Sequence, residues 1–226
     1  MKLSIIIPVL NEAGRIAVAL IALQPLRERG AEILVVDGGS VDGTAEIAAR
    51  GADHVITSPR GRASQQNAGA QQALGDTFLF LHCDTQLPLD ADGLIADTLN
   101  DSAVRWGRFD VRFDTEQTML RVVAAMMNAR SRLTGIATGD QCLFVRRNAF
   151  EAAGGFPALP LMEDVALSAL LRRQSAPTCL RNKVTTSARR WQKNGVWRTI
   201  LLMWRLRLAY ALGVSPARLA RWYGQS

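Results

Sequence analysis

The sequence lacks the long apolar runs that would place it in a membrane. No uninterrupted apolar segment approaches the roughly 18 residues that a spanning helix needs. The apolar segment at residues 3–10 is short, contains Pro8 and leads into Asn11 and Glu12 rather than into a small-residue cleavage site. We therefore expect a chain that is neither membrane-spanning nor secreted.

Cysteine is also scarce. Cys83, Cys142 and Cys179 are odd in number and widely spaced, and they form no C-x-x-C pair. This usage argues against a disulfide framework and against a structural zinc site. It suits a reducing environment, and we expect a cytoplasmic protein. Internal repeats and low-complexity linkers are absent as well.

Negative charge is missing from the last quarter of the chain. Residues 165–226 contain 12 of the 27 Lys and Arg residues and none of the 20 Asp and Glu residues. A surface of one sign favours an anionic partner, for which a diphosphate, a membrane surface and a nucleic acid are the candidates. Nucleic acid ranks last because no recognisable reading module accompanies the basic residues, so no nucleic-acid partner is expected.

What is present indicates one α/β domain. The chain has 226 residues and is 48% hydrophobic, which is enough for a substantial core. Strand patterns occur at residues 3–9, 32–37, 54–58 and 77–82. Helical patterns alternate with them at 13–26, 43–50, 62–74 and 90–100, which predicts a mainly parallel sheet. Later segments are mixed, with strands predicted at 104–113 and 142–145 and helices at 118–133 and 163–173.

Polar side chains follow three of the predicted strands. Asn11 and Glu12 follow the first, Asp37 ends the second, and Asp84 follows the fourth. Ligands of open α/β sheets bind at the carboxyl ends of the strands. One such residue is most simply a solvated turn, but three of them, separated by helical patterns, indicate a binding edge.

These segments resemble the inverting family-2 glycosyltransferases. That family typically reads P-x-x-N-E after its first strand, then D-D-G-S-x-D-G-T, then D-x-D. Pro8 with Asn11 and Glu12, the segment 37–44 and the segment 82–84 are the counterparts here. Gly38 replaces the second Asp of D-D-G-S, and His82 replaces the first Asp of D-x-D.

Further segments are similar to a small bacterial branch, the radical-SAM/selenodomain-associated transferase 2 type. They are Gly61-Arg62-Ala63, Asn67-Ala68-Gly69, Gly139-Asp140-Gln141 and Met162-Glu163-Asp164. The resemblance implies an α/β fold of the GT-A type, with a mostly parallel, Rossmann-like central sheet flanked by helices. We expect this domain to span residues 1–190, with basic amphipathic helices at 191–226 packed on it.

The resemblance also implies a reaction and its residues. The donor would be a nucleoside-diphosphate sugar, with a UDP-hexose favoured, and the acceptor would be a hydroxyl group of unknown origin. The nucleoside would contact Pro8, Asn11, Glu12 and Asp37. The rest of the donor would contact Arg62, Asn67, His82, Cys83, Asp140, Gln141, Arg190 and Trp191. Asp84 would hold Mn²⁺ or Mg²⁺, and Asp164 would be the catalytic base with Glu163 beside it.

Simpler interpretations of these residues stay open from the sequence. Asn11 and Glu12 can cap a helix, Asp37 can belong to a turn, and Asp164 can favour a helix N-terminus by its charge. Asp42, which precedes Gly43 and Thr44, predicts the N-cap of the next helix. His82 lies on the same strand face as Asp84 and can ligate a metal, but a lone histidine is more often packed.

The last helical pattern has two apolar stripes. One contains Trp197, Ile200, Leu201, Trp204, Leu208 and Leu212, and the other contains Leu202, Met203, Leu206 and Tyr210. A helix that is apolar on two sides has two neighbours. One is the domain itself, and the other is an anionic membrane surface or a second copy in a homodimer. A peripheral location at the inner membrane face would suit a lipid-linked acceptor.

Two other functions compete with glycosyl transfer. A nucleotidyltransferase would need a glycine-rich loop with several basic residues after the first strand, which the segment 11–15 does not supply. A non-catalytic protein that binds nucleotides or anionic surfaces would account for Gly38, His82 and the basic tail.

Overall fold

The computed structural model describes residues 1–224. One eight-stranded sheet forms its centre, with strand order β3-β2-β1-β4-β7-β6-β8-β5. The strands are β1 (Leu3–Val9), β2 (Glu32–Asp37), β3 (His54–Thr57), β4 (Thr77–Phe80), β5 (Thr85–Gln86), β6 (Trp106–Phe113), β7 (Leu143–Arg146) and β8 (Thr178–Thr186). Four of the neighbouring pairs are parallel and three are antiparallel, so the mostly parallel sheet predicted from the sequence is confirmed.

Ten helices flank the sheet in the described part of the chain. They are α1 (Ala13–Glu28), α2 (Thr44–Ala48), α3 (Arg62–Gln72), α4 (Ala91–Asn100), α5 (Thr118–Thr134), α6 (Arg147–Ala152), α7 (Glu163–Arg172), α8 (Arg189–Asn194), α9 (Val196–Ala211) and α10 (Pro216–Tyr223). A single 3-10 turn, Gly139–Gln141, precedes β7.

The parallel half of the sheet consists of β1 to β4. Strands β1, β2 and β4 are largely apolar and buried on both faces because helices cover both sides, whereas β3 is a partly exposed edge strand. Ile5 and Ile7 belong to the core cluster that contains α1 and α4, whereas Ile6 belongs to the cluster that contains α3 and α7. This alternation follows from the two-residue period of a strand. Val9 pairs with Asp37, so β1 and β2 end at one edge.

The second half of the sheet departs from the sequence-based expectation. Strand β8 was not predicted, although it pairs with β6 along most of its length, with a register shift between Phe109 and Asp110. Exposed Arg181, Asn182 and Lys183 interrupt its apolar pattern. The short strand β5 was not predicted either, and it joins the sheet through β8.

The C-terminal helices pack against the domain at two places. Leu206 and Ala209 of α9, with Leu219 and Ala220 of α10, lie against Leu161 and Met162, directly before α7. Trp191 and Ile200 pack against a cluster that includes residues of β6 and α5. Among residues 1–224, no helix has the length and hydropathy needed to cross a bilayer.

The close approach of α3 to the sheet depends on Gly69. An added Cβ at this position would lie 2.5 Å from Cγ2 of Ile6 and 3.0 Å from Cγ2 of Val36. Both contacts are with buried strand residues that have little room to move. A larger residue here would therefore push α3 away from β1 and β2.

We expect Gly69→Ala to lower the free energy of unfolding by about 1–3 kcal/mol through overpacking. Urea unfolding measures the change. Gly93→Ala in α4 is the matched control, because no heavy atom lies within 4 Å of its added methyl group. That variant should lose no stability and gain up to about 1 kcal/mol from helix propensity. Equal behaviour of the two variants would contradict the close-packing argument.

Candidate active site

The loops after β1 and β2 are joined by side-chain hydrogen bonds. The backbone N–H of Asn11 donates to Oγ of Ser40 at 2.8 Å, and the N–H of Val41 donates to Oδ1 of Asn11 at 3.0 Å. Oδ2 of Asp37 accepts from the N–H groups of Gly39 (3.1 Å) and Ser40 (2.9 Å). Asp37 is only 4% exposed. Asp37 therefore shapes this loop, as its turn interpretation predicted, whereas the side chain of Asn11 joins the two loops instead of capping a helix.

Asp42 caps a different helix from the one expected. Its Oδ2 accepts from the N–H of Ala13 at the start of α1 (3.1 Å), and its Oδ1 accepts from the N–H of Thr44 (3.1 Å). The N-cap position of α2 is Gly43, at φ 85°. The prediction that Asp42 is the N-cap of α2 is therefore wrong by one residue, because the strained turn places a glycine there.

Glu12 makes no helix cap with its side chain. Its Oε2 accepts from Arg15 Nη1 at 2.8 Å, and its Oε1 lies 3.9 Å from Nη2 of Arg189. Half-buried Pro8 lies near the end of β1, in register with Val36. The predicted nucleoside contacts thus lie around one edge formed by β1 and β2.

Local packing explains why position 38 is a glycine. Nε2 of Gln65 donates to the carbonyl oxygens of Val9 and Val36, both at 2.8 Å, and so joins the ends of β1 and β2 from α3. An added Cβ at Gly38 would lie 3.1 Å from Cδ of this buried Gln65. The glycine leaves room for an amide where the wider family pattern has a carboxylate.

His82 joins the end of β4 to the 3-10 turn. Its Nδ1 lies 3.5 Å from Oδ1 of Asp140. Its ring packs so closely on Gly139 that an added Cβ there would lie 2.5 Å from Cε1. These contacts favour the packed interpretation of His82.

Asp84 is half-buried and lines a cavity of about 220 Å³ together with Arg15, Asp114 and Ser187. Neighbouring Cys83 is buried. Burial, reinforced by the charges of Glu12 and Asp84, raises the pKa of its thiol to about 12. Burial thus favours the neutral thiol form of Cys83 at physiological pH.

Asp164 connects α7 to the 3-10 turn. Its Oδ2 accepts from the N–H of Gly139 at 2.8 Å, and its Oδ1 accepts from the N–H of Val165 at 2.7 Å.

Three non-glycine residues of the described chain have a positive φ, namely Asn11 (54°), Cys142 (48°) and Met162 (70°). All three lie beside the segments described here, and backbone strain of this kind concentrates at functional sites.

Two residues predicted to contact the donor are occupied with internal bonds. Gln141 is fully buried, and its Oε1 accepts from the N–H of Thr138 at 3.2 Å. The amide of Asn67 bonds both backbone groups of Phe156, at 2.8 and 2.9 Å. Gln141 is thus buried in the 3-10 turn and Asn67 holds the loop at Phe156, while contact of either residue with a donor stays a prediction.

Arg190 is held against the C-terminal helix. Its guanidinium carbon lies 3.6 Å from the ring centroid of Tyr223, and its Nη2 donates to the Tyr223 carbonyl at 3.4 Å. Burial raises the pKa of Tyr223, with Asp140 and Asp164 adding to it against Arg190 and Arg62. Trp191 instead packs edge-on against Phe113, with ring centroids 5.6 Å apart. Arg190 thus packs on α10, and Trp191 packs on the cluster that includes Phe113 of β6.

The charges around Asp140 are mutually compensating. The side chain of Asp140 is 44% exposed. Its partial desolvation would raise its pKa, but the contact with His82 and the charges of Arg62 and Arg190 hold the pKa below its usual value. Arg62 is exposed to solvent, and partial desolvation by its neighbours opposes its charged form, yet the carboxylates near it, with Glu163 foremost, raise its pKa. The carboxylates and the arginines thus stabilise one another's ionised forms.

Two more arginines approach Asp164. Burial lowers the pKa of Arg207 in α9, although Asp164 and Asp140 oppose this effect. Burial and the charge of Arg207 lower the pKa of Arg130 in α5 to about 10. The sequence analysis missed Arg130, Arg207 and Tyr223. For Arg207 and Tyr223, the one signal in the sequence was that residues 165–226 are basic and contain no acidic residue.

Metal ligands are sparse in the site. Within residues 1–224, no group of three or more His, Cys, Asp and Glu side chains is arranged to hold a metal ion. A cation bound through Asp84 would therefore take most of its ligands from substrate or water.

Comparison with solved structures shows the fold. The chain is similar to S. aureus TarS 1-349, with 18% identity and a TM-score of 0.65 over 83% of this chain and 61% of that one. It is similar to the mannosyltransferase PcManGT from Pyrobaculum calidifontis, solved with GDP-Man and Mn²⁺, with 21% identity and a TM-score of 0.66 over 92% and 61%.

A third similar structure is glucosyl-3-phosphoglycerate synthase from Mycobacterium tuberculosis, solved with Mn²⁺, UDP and phosphoglyceric acid. Here the identity is 16% and the TM-score 0.58, over 80% of this chain and 69% of that one. The chain thus spans about three fifths of TarS 1-349 and of PcManGT. No curated protein matches the chain in sequence.

The family itself follows from sequence. The model described as glycosyl transferase family 2 matches residues 4–153, which is more than half of the chain. The matched segment contains β1 to β7 and the strand ends described above. The chain therefore belongs to glycosyl transferase family 2 and has the GT-A fold.

Proposed function

We propose that the protein transfers a sugar from a nucleoside-diphosphate sugar to an acceptor hydroxyl, with inversion and with the assistance of Mn²⁺ or Mg²⁺. One observation carries this proposal. Asp164 is oriented by the N–H of Gly139, which directly precedes Asp140, and the charges of Arg62, Arg190 and Arg207 act on this pair of carboxylates. A positioned carboxylate beside converging cations suits proton removal from an acceptor and stabilisation of a departing diphosphate.

The donor is assigned to the edge formed by β1, β2 and β4. Pro8 and Glu12 offer surface for the nucleoside, and Asn11 and Asp37 hold the loop that would border it. TarS has been solved with UDP-GlcNAc and with UDP, and PcManGT with GDP-Man. A UDP-hexose remains the donor that we propose.

The cation site is assigned to Asp84. Mg²⁺ and Mn²⁺ accept one or two protein carboxylates when substrate phosphates and water complete the shell, so a lone half-buried Asp84 fits such an ion. When bound, the ion would act as a Lewis acid on the diphosphate. His82 is paired with Asp140, so we assign it to the support of the 3-10 turn rather than to the metal.

The leaving diphosphate is assigned to Arg62 and Arg190. Negative charge on its oxygens grows as the glycosidic bond breaks, and guanidinium groups stabilise such charge through two parallel hydrogen bonds. The ring of Tyr223 lies 3.6 Å from the Arg190 guanidinium and limits its rotation. Tyr223 is therefore a positioning residue, contributed by the appended helices.

The base is assigned to Asp164 rather than to Glu163. Glu163 is 5% exposed, and burial together with Asp164 raises its pKa, against the opposing charges of Arg62 and His82. A buried carboxyl with a raised pKa retains its proton more readily than an ordinary glutamate does, which makes it a poorer base. Half-buried Asp164 has greater access to an acceptor and is fixed by two backbone N–H groups.

The first prediction concerns the metal. UDP with Mn²⁺ should raise the melting temperature of the wild-type protein more than UDP alone, because a ligand that binds only the folded state stabilises it. Asp84→Asn should lose the Mn²⁺-dependent part, and Asp97→Asn, which alters an exposed residue of α4, should keep it. Equal, metal-independent shifts in all three proteins would remove the role of Asp84. The same measurement with GDP in place of UDP tests which nucleobase the site prefers.

The second prediction concerns the base. Asp164→Asn should lower turnover by about two to four orders of magnitude while donor affinity is kept, because the base acts on the acceptor. The asparagine carbonyl can still accept from Gly139, so the site should stay folded. Release of nucleoside diphosphate in the presence of acceptor measures turnover. Turnover at the wild-type rate would show that another residue is the base.

The third prediction concerns Glu163. A carboxyl whose pKa is raised by folding binds its proton more tightly in the folded chain, so stability falls as pH rises above about 4.3 through the raised value. Glu163→Gln should remove this fall and should increase the free energy of unfolding at neutral pH. Urea unfolding at several pH values from about 4 to 8 measures it.

Glu28→Gln is the control, because Glu28 is exposed at the end of α1. Its pH dependence should match that of the wild type. If the pH dependence of Glu163→Gln also matched that of the wild type, the pKa of Glu163 would not be raised by folding.

A further inference from the structure

Helix α9 exposes a continuous apolar stripe. Its inner face, with Thr199, Leu206 and Ala209, is buried against the domain. The outer stripe consists of Trp197, Leu201, Trp204, Leu208 and the following Leu212, which are between 59% and 75% exposed. These residues recur every three or four positions and therefore form one line along the helix. Trp222 of α10, at 38% exposed, adds a third tryptophan to the exposed apolar surface of these two helices.

Exposed apolar residues that stand alone are ordinary, but a continuous patch marks an interaction surface. The outer stripe contains two tryptophans with most of their surface in solvent. The energetic cost of leaving such rings exposed to water is removed when another apolar phase covers them. We therefore expect another apolar surface to cover the outer stripe.

The charges beside the stripe identify that occupant. Arg198 and Arg205 each follow a tryptophan of the stripe and, being seven residues apart, lie on the same side of α9. Both are exposed, and so are Arg218 and Arg221 of α10. No acidic residue follows Asp164 anywhere in the sequence. The surface thus combines apolar rings with positive charge of one sign.

Arg205 also shows how such a surface can be organised. Its guanidinium carbon lies 4.4 Å from the ring centroid of Trp222, so an arginine and a tryptophan from different helices form one unit. Tryptophan prefers the boundary between hydrocarbon and headgroups, and arginine reaches from there to anionic groups. Both preferences are met at a membrane surface that contains anionic lipids.

A second copy of the chain fits the stripe less well. An isologous contact would place the same patch on itself and bring its arginines together. The segment from residue 165 onward holds no carboxylate to neutralise them. Because α9 does not qualify as a membrane-spanning helix, its stripe suits binding along a surface rather than across a bilayer.

We propose that the outer stripe of α9, with the exposed face of α10, binds the surface of membranes that contain anionic lipids. This binding does not require the transfer reaction, so it stands or falls separately from the proposed function. The inner face of the same helices packs on Leu161 and Met162, directly before Glu163 and Asp164. A docked membrane would therefore lie on the far side of the helices that close the candidate active site.

Co-sedimentation with vesicles tests the proposal without any donor present. Wild-type protein should pellet with vesicles of phosphatidylglycerol and phosphatidylcholine at low salt, should stay in solution with phosphatidylcholine alone, and should be released by added salt. Trp197→Gln combined with Trp204→Gln should weaken binding by at least about tenfold through lost apolar contact. Arg198→Gln and Arg218→Gln should each weaken it by about fivefold.

Two variants on other surfaces serve as matched controls. Ile21→Gln alters an exposed apolar residue of α1, and Arg50→Gln alters an exposed arginine after α2. Both should bind vesicles as the wild type does. All substitutions are at exposed positions, and thermal unfolding checks that each variant is folded.

Three outcomes would count against the proposal. One is a wild-type protein that ignores anionic vesicles or binds neutral ones equally. Another is a dimer in sedimentation equilibrium that Trp204→Gln converts to a monomer, which would make the stripe an interface between copies. Equal binding by the tryptophan variant and the Ile21→Gln control would also remove the stripe from the docking surface.

Discussion

Parallel pairing of β1 with β2 and β4 is the constraint on which the candidate site depends. It places Val9 beside Asp37 and Ile6 beside Phe80, so three strands end at the same edge of the sheet. Helices on both faces allow these strands to be apolar throughout, and polar residues appear where each strand leaves the core. The amide of Gln65 then joins the ends of two of these strands from α3. Chemistry is possible at this edge because its backbone is held rigidly.

The other side of the site is assembled from distant parts of the chain. The 3-10 turn before β7, the start of α7, and the helices α8 to α10 meet around Asp140 and Asp164. The carboxylates and the arginines come from separate elements, and their opposite charges favour one another's ionised forms.

Much of the parallel half could be predicted from the sequence. Each of its strands is a short apolar run, and each is separated from the next by a helical pattern. Strand β8 could not be predicted, because its partner β6 lies about 70 positions earlier and its exposed middle residues hide the pattern. Long-range pairing of this kind leaves no local signal.

The site was predictable to a similar extent. The strand-end residues Asp37 and Asp84 stood out because a carboxylate directly after an apolar strand is a local signal. The internal hydrogen bonds of Asn67 and Gln141 could not be predicted, because an amide side chain looks the same in the sequence whether it bonds a ligand or the backbone. Tyr223 reaches the site only because α9 and α10 fold back onto Leu161 and Met162.

The contact between Gly38 and Gln65 makes two positions interdependent in any relative of this chain. An aspartate at position 38 would displace the Gln65 side chain and bring a carboxylate near the carbonyl oxygens that the amide now bonds. A smaller residue at position 65 would relieve the crowding but leave those oxygens without this donor. Homologous chains should therefore exchange these two residues together, as glycine with glutamine or as an acidic residue with a smaller partner.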